Sequence, residues 1–226
     1  MNARVRSTST LLTKQRAYAR LNSVQYMVTH RRERLKTELR EEILGAARDL
    51  FVAQGYSSVS MRKIAETVGC APGTIYLHFK DKSSILSAIC VETFAKLDKR
   101  MEAIQRGGGD PLELLRRGGR AYAQFALDHP NHFLVVFGAI GTAAFKDEET
   151  KQAGLRSFEC MRMCVRRCVE AGMLRITDVE QVAQTLWASV HGVAMLLIAK
   201  PDFPFIEQNR LIDSVLDVSM EGIKKR

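Results

Sequence analysis

The stretch that decides the fold runs from Ser60 to Leu86 and reads SMRKIAETVGCAPGTIYLHFKDKSSIL. Apolar residues recur in it at helical spacing, yet Gly69, Pro72 and Gly73 interrupt the pattern in its middle. Ser60 suits the N-cap of a helix that Gly69 ends, and Pro72 suits the first turn of the next helix, where its missing N–H costs nothing. The stretch therefore predicts two short helices joined by a sharp turn, which is the helix-turn-helix arrangement.

The polar residues behind this turn suit contact with double-stranded DNA. In a helix-turn-helix the second helix places its N-terminal residues in the major groove, while the first helix crosses the DNA backbone. Thr74 can meet a base edge or a thymine methyl group, and Tyr76 and His78 can donate hydrogen bonds to phosphate oxygens. Lys82 begins the following helix, where free backbone N–H groups and the helix dipole also favour a phosphate. We predict a DNA-binding surface here.

A resemblance to a known family covers residues 39 to 90. The segment ILGAARDLFVAQGYSSVSMRKIAETVGCAPGTIYLHFKDKSSIL, with a Gly-Thr-Ile-Tyr-x-His-Phe-x-x-Lys core at positions 73 to 82, resembles the TetR family of transcriptional repressors. Chain length and helix number are family-like as well. The resemblance implies a homodimer that binds a palindromic operator as a repressor and is released by a small-molecule effector. Activation instead of repression stays open.

The same resemblance assigns roles to individual residues of the surface. It implies that Arg62 and Thr74 approach bases, and the Arg62 guanidinium matches the two acceptors of guanine. It implies that Gly73 lets the DNA backbone come close and that Leu77, where family members vary, touches a base or its sugar. The side chains implied to hold phosphates are Ser60, Tyr76, His78 and Lys82. A packing role for Tyr76 stays open.

Helical spacing continues along the rest of the chain, and no alternating strand pattern occurs. A first helix is predicted over residues 37 to 53, and a fourth from residue 82 to about 105, before the break GGGDP. Later helices are predicted over 112–127, 132–145, 148–171, 179–198 and 207–223. The predicted fold class is all-α.

Three domains follow from this pattern. Residues 1–36 form a basic flexible N-terminal extension, 37–83 a three-helix helix-turn-helix DNA-binding domain, and 84–226 a helical effector-binding and dimerisation domain joined to it by a long helix. The extension carries nine basic residues and one acidic residue, which accounts for most of the net charge of +9. Three explanations stay open for the extension: an arm that contacts DNA phosphates, a solvated tail without a role, or an artefact of the choice of start site. The third arises because Met27 would be a natural start just ahead of the first helix. Whether residues 1–26 belong to the natural protein therefore stays open.

Composition excludes several other classes of protein. The longest apolar runs fall short of the roughly 20 residues that a bilayer span needs, so no membrane is expected as a partner. Five cysteines, an odd number, lie within helical patterns and indicate reduced thiols. We therefore expect a protein of the bacterial cytoplasm that associates with the nucleoid when it is bound to DNA. No HExxH, GxSxG or Walker motif occurs, so we expect no enzyme, cofactor or metal.

The last two helical stripes are implied by the resemblance to form a four-helix bundle between two copies of the chain. The alternative is that they close only the core of one copy. Within the first of these stripes, LWASVHGVAMLL resembles the Trp-His-Gly segment of one TetR subgroup. Trp187 and His191 are four residues apart and share a helix face. His191 either binds ligand or is satisfied in the core or the dimer seam.

An apolar effector pocket between the helices is the remaining expectation. Aromatic rings and adaptable thioethers are suited to line such a pocket. The candidate pocket residues are Phe125, Phe133, Phe137, Met161, Cys164, Trp187, His191 and Met195. Cys160, Cys164 and Cys168 also recur at every fourth position of one helix, close to arginines that can lower a thiol pKa. They are either small core residues or part of a redox or thiophilic sensor.

Overall fold

The structure is a computed structural model that describes residues 30–138 and 146–225. The chain divides after Gly45 into two units, Met1–Gly45 and Ala46–Arg226. A short 3-10 helix, Tyr56–Ser58, follows the first α-helix. The α-helices of the described ranges are α1 (residues 30–54), α2 (Met61–Val68), α3 (Pro72–Tyr76), α4 (Lys82–Arg106), α5 (Pro111–Asp128), α6 (Pro130–Phe137), α7 (Glu148–Glu170), α8 (Val179–Ala199) and α9 (Gln208–Ile223).

The all-α prediction is confirmed, with two differences in helix bounds. Residues 30–36 are already helical in α1, so the first helix begins earlier than the predicted residue 37. The one large apolar residue among them, Leu35, is half-exposed, and charged side chains support a polar helix through pairs such as Arg34–Glu38, joined at 3.2 Å. The flexible extension stays a prediction, and residues 1–29 lie outside the described residues. The helix predicted over 132–145 begins at Pro130 and ends at Phe137, and residues 139–145 lie outside the described residues.

Local chemistry sets the bounds of α2 and α3 as predicted. The Ser60 hydroxyl accepts from the backbone N–H of Lys63 at 3.2 Å and caps α2. Gly69 ends α2 with a left-handed φ of 77°, which a residue with a side chain rarely adopts. Pro72 occupies the first turn of α3. The buried side chains that hold these two helices on the end of α1 are Phe51, Val59, Ile64, Ala65, Ile75 and Phe79.

The C-terminal helices enclose an apolar core in which α8 is central. It packs against α5, α7 and α9, while α4 packs against α5, α6 and α7. Gly119 of α5 lies so close to α9 that a Cβ there would approach Leu216 Cδ2 to 2.6 Å. Among the described residues, α8 is the one helix whose length and apolar composition would suffice to cross a membrane, and a core helix meets the same criteria.

Candidate DNA-binding surface and effector cavity

The residues predicted to contact bases lie at the start of α2 and along α3. Arg62 is exposed, Thr74 is half-buried, and Leu77 has 77% of its side chain exposed. A Cβ added to Gly73 would meet no atom within 4 Å, and its φ is not among the positive ones. Nothing inside the chain therefore requires glycine at position 73. This agrees with the prediction that its small size matters to an approaching DNA backbone.

The predicted phosphate contacts divide into exposed and internally engaged groups. Tyr76 is 56% exposed, which argues against a main role in packing. Ser60 is exposed and its oxygen caps α2, which leaves its hydroxyl proton as a donor for a phosphate. His78 is half-buried just behind α3. These three positions remain candidates, and their contact with DNA stays a prediction.

Lys82 is engaged within the chain, which the sequence did not indicate. Its ammonium donates to the backbone carbonyls of Tyr56 at 2.6 Å and Val59 at 2.7 Å. It also lies over the Tyr56 ring, 4.3 Å from the centroid. Two of its three donors are thus used to fix the 3-10 helix ahead of α2. Only the third N–H of the ammonium is left for a phosphate. The prediction that Lys82 serves simply to bind a phosphate is therefore corrected.

The start of α4 is also less open to an anion than expected. The Asp81 carboxylate accepts from the backbone N–H of Ser84 at 2.8 Å, and the Ser84 hydroxyl accepts in return from the backbone N–H of Asp81 at 3.2 Å. This reciprocal cap places a negative charge at the helix N-terminus, where it competes with phosphate. We missed Asp81, although Asp-x-x-Ser in front of an apolar run is a recognisable capping pattern.

His132, at the start of α6, connects three helices. Its Nε2 lies 3.0 Å from Arg48 Nη1 of α1 and 3.1 Å from Lys96 Nζ of α4. A ring nitrogen that accepts from two cations must be unprotonated, so the imidazole is neutral. Burial is the main cause that lowers the pKa of His132, to about 4. The positive charges of Arg48, Lys96 and His129 lower this pKa further, and the carboxylate of Asp49 opposes them. Beside it, Asn131 donates to Asp49 at 3.1 Å.

The neutral state of His132 predicts a loss of stability in acid. The pKa of His132 in the folded chain is below the ordinary value of 6.5. The contribution of the neutral ring to the free energy of unfolding is therefore complete above pH 6.5 and is lost as the pH falls toward 4. Discounted by half for the half-exposed ring, the loss between pH 7 and pH 5 is about 1 kcal/mol. Urea unfolding at both pH values checks this. His132→Asn, which cannot titrate, should lose less, and an equal loss in both proteins would contradict the assignment.

A cavity of about 800 Å³ lies among α4, α5, α7 and α8. Its wall is mainly apolar and aromatic, with Leu97 and Met101 from α4, Tyr122 from α5 and Phe158 from α7. The charged side chains on the wall are paired within the chain. Arg162 donates to Glu159 at 3.0 Å and to Glu180 at 3.1 Å, and Lys151 lies 3.5 Å from Glu148. The cavity is suited to a largely uncharged ligand.

Half of the candidate pocket residues line this cavity. Phe137, Met161, Cys164 and Trp187 are on its wall. The other four are not on this wall, and a role for them in ligand binding stays a prediction. Phe125 and Phe133 are 2% and 0% exposed in the core cluster of α5, α6, α8 and α9, and Met195 packs against the same cluster. His191 lies one layer behind the wall. Helical spacing marks these faces as apolar but does not tell a packed face from one that borders a cavity.

His191 belongs to a chain of hydrogen bonds with two wall residues. Trp187 Nε1 donates to the Tyr122 hydroxyl at 3.2 Å, and the Tyr122 oxygen lies 2.9 Å from His191 Nδ1. Burial lowers the pKa of His191, which favours the neutral imidazole. Nδ1 accepts the Tyr122 proton in the tautomer that has its hydrogen on Nε2. This geometry favours a histidine satisfied in the core. No sequence pattern marks Tyr122, which is 65 and 69 residues away from its partners.

A helix-turn-helix followed by a helical domain with an internal cavity defines a class of DNA-binding regulators. Two family models match the chain within this class. Residues 43–89 match the model described as bacterial regulatory proteins, tetR family, and residues 115–218 match the model of the tetracyclin repressor-like C-terminal domain. The Trp-His-Gly subgroup stays a prediction.

Related proteins agree with the models. The regulator AcrR of Shigella flexneri is 31% identical over 144 residues, which cover 61% of this chain and 67% of AcrR. The fatty acid metabolism regulator protein of Bacillus subtilis (strain 168) is 31% identical over 114 residues, 50% of this chain and 54% of that protein. The crystal structure of PfmR from Thermus thermophilus covers 79% of this chain and 97% of its own, with a TM-score of 0.66 and 25% identity. The chain belongs to the TetR family of transcriptional regulators.

Proposed function

We propose that the protein is a homodimeric repressor of the bacterial cytoplasm that binds a palindromic operator and leaves it when a small apolar effector occupies the cavity. The observation that carries the proposal is the course of α4. Its first residue, Lys82, binds the carbonyls ahead of α2, and its later residues Leu97, Met101 and Gln105 line the cavity. One helix thus belongs to both the DNA-reading part and the effector site.

Exposed apolar side chains support the homodimer. Leu196 on α8 and Val218 on α9 are 51% and 75% exposed, and Phe203 and Ile206 between the two helices are 58% and 49% exposed. Large apolar side chains left in solvent on neighbouring elements are typical of an interface that another chain covers. A two-fold dimer presents two reading heads to two half-sites, as a palindrome requires.

The effector class follows from the wall of the cavity. Its cations already have carboxylate neighbours, so the wall does not single out an anionic ligand. An uncharged molecule with an extended apolar part suits the mainly apolar wall. Because one relative is named a fatty acid metabolism regulator, neutral esters with long acyl chains are suitable first probes.

Release would act by a shift between two dimer states. A ligand that binds better when α4 is displaced favours the state in which the reading heads no longer fit successive major grooves. The contacts of His132 with Arg48 and Lys96 add a second route, because α6 holds α1 and α4 together through one ring nitrogen. Spin-label distances between the two heads, with and without a releasing ester, test this; an unchanged distance would contradict it.

The DNA surface is tested by selecting bound sequences from a random duplex pool with the purified chain. We expect a two-fold symmetric consensus, and Tyr76→Ala should weaken binding to it by about 10- to 100-fold, since each dimer loses two phosphate hydrogen bonds. The melting temperature should stay unchanged, because Tyr76 is largely exposed. Fluorescence anisotropy against salt measures the affinity and the number of phosphate contacts. Wild-type affinity in Tyr76→Ala would reject the assigned surface.

Lys82→Met is the matched comparison for Tyr76→Ala. It removes the ammonium but keeps an unbranched apolar stem, so the carbonyls of Tyr56 and Val59 lose their donor. We expect a loss of about 1–3 kcal/mol in the free energy of unfolding, together with weaker operator binding. A Lys82→Met protein that binds poorly but is as stable as the wild type would show that the phosphate role outweighs the internal contacts.

The alternative function within the same fold is a transcriptional activator or a thiol-responsive regulator. Two cysteines on the cavity wall favour the thiol-responsive form. We propose in either case that the chain acts by binding and not by catalysis.

A further inference from the structure

The three cysteines of α7 differ in their surroundings. Cys160 and Cys164 both line the effector cavity. Cys168, one turn further on, is fully buried in the core cluster formed mainly by α7 and α8. The spacing in the sequence treats them as one ladder, whereas in the structure Cys160 and Cys164 border the cavity and Cys168 does not. Cys164, 8% exposed, also belongs to the core cluster that contains Cys168.

A polar contact from another helix reaches this pair. Gln105 of α4 directs its Nε2 donor at Cys164 Sγ, at 2.6 Å. The other end of the same amide, Oε1, accepts from Arg167 Nη1 at 3.1 Å, which holds the amide in this orientation. The Cys164 sulfur is itself a donor, because its thiol donates to the backbone carbonyl of Cys160 at 3.2 Å. One donor from α4 therefore meets the Cys164 sulfur beside an apolar space.

These contacts set the protonation of the pair. The hydrogen bond from Cys160, assisted by Gln105 and Arg167 and opposed by burial, lowers the pKa of Cys164 to about 7. The same hydrogen bond and burial raise the pKa of Cys160. Burial alone raises the pKa of Cys90 to about 12 and is the main cause that raises that of Cys168 to about 11. Near neutral pH Cys164 is therefore partly a thiolate, whereas Cys160 stays a thiol.

We propose that Cys164 is a covalent attachment site for apolar α,β-unsaturated carbonyl compounds that enter the cavity. The Cys164 thiolate adds to the β-carbon, which forms a C–S bond and breaks the C=C π bond. The resulting enolate takes a proton from the Cys160 thiol at its α-carbon, and water then returns a proton to Cys160. No oxidant or further reactant is needed, and the product is a thioether in the cavity.

The remaining geometry favours this chemistry over a metal. Among the residues that the structure describes, no group of three histidine, cysteine or carboxylate side chains is arranged to hold a metal ion. The wall is suited to an apolar ligand body, while Gln105 Nε2 and the Cys160 backbone carbonyl supply the polar contacts at the sulfur. The inference deepens the proposed function and rests on it only where DNA release is concerned.

The test is labelling of the full chain with N-cyclohexylmaleimide, an apolar probe that contains this unsaturated group. Cys70 is half-exposed in the turn between α2 and α3, so the experiment uses a Cys70→Ser background. Peptide mass mapping at short times should place the first adduct on Cys164, with a rate that rises to half its maximum near pH 7. N-cyclohexylsuccinimide, the saturated analogue, should give no adduct. A first adduct on Cys90, Cys160 or Cys168 would overturn the proposal, as would a Cys164 rate that rises only above pH 8.5.

Two variants separate reactivity from access. Gln105→Leu removes a donor to Cys164 but leaves both thiols, so the labelling rate at pH 7 should fall several-fold and recover at higher pH. Cys160→Ser should still form the adduct on Cys164, at a lower rate. Unchanged rates and pH profiles in both variants would overturn the role of these donors.

Operator release is measured in a separate arm with the same two probes. The maleimide should release DNA and the succinimide should not, and Cys164→Ser should resist release. Because labelling is scored without DNA, absent labelling counts against the attachment site. Complete labelling with DNA still bound counts against the cavity as the effector site.

Discussion

Val218→Asp is expected to convert the dimer into monomers and to weaken operator binding by about 100-fold or more. Val218 is 75% exposed on α9, although it is a branched apolar residue. In a two-fold interface the substitution appears twice, so two carboxylates would be desolvated without a partner. An unpaired buried charge costs several kcal/mol, which exceeds what one valine contact contributes.

The effect on DNA follows from the geometry of the reading head. One helix-turn-helix contacts one half-site, and the second head of a dimer binds at a high effective concentration once the first is in place. A monomer loses this advantage even though every DNA-contacting side chain is intact. The loss should therefore be large without any change at α3.

Sedimentation at micromolar concentration and operator anisotropy measure the two consequences on the same sample. Met163→Asp is the control, because Met163 is also an exposed apolar residue, at 44%, on the different helix α7. It should stay dimeric and bind DNA normally. A dimeric Val218→Asp protein would remove this face from the interface, and a monomeric protein that keeps full affinity would contradict the need for two heads.

The reading head could be predicted because its signals are local. Ser60 caps a helix through a bond to a residue three positions away, and Gly69 and Pro72 act through their own backbone geometry. Each effect spans less than one helical turn, so the order of residues contains it. The bounds of α2 and α3 follow from these effects, and the later helices follow from the periodicity of their apolar residues.

The contacts that determine the candidate sites are not local. Lys82 binds carbonyls 26 and 23 residues earlier, and Gln105 meets Cys164 across 59 residues. A lysine at a helix start has the same sequence pattern whether its ammonium points to DNA or to its own chain. Only the packing of the 3-10 helix against α4 decides between the two, and no short pattern encodes it.

Phe133→Ala should lower the free energy of unfolding by about 3–5 kcal/mol, because a large side chain leaves a closed core. Phe133 is 0% exposed, and its ring centroid lies 4.7 Å from Phe137 and 5.6 Å from Tyr122. Such a loss is a large part of the roughly 5–15 kcal/mol that holds a typical domain folded. Urea unfolding at fixed protein concentration measures it, since dimerisation couples stability to concentration.

Phe137→Ala is the matched comparison, one helical turn further along α6. Its ring borders the cavity, so its removal enlarges an existing space and does not open a new void in packed core. We expect a smaller loss of stability than for Phe133→Ala, together with a changed affinity for neutral acyl esters. Equal losses would mean that the cavity closes around Phe137 in solution and would count against an open effector site. A large loss at Phe133 with unchanged ester binding would separate the core from the wall, since the two rings contact each other but face different surroundings.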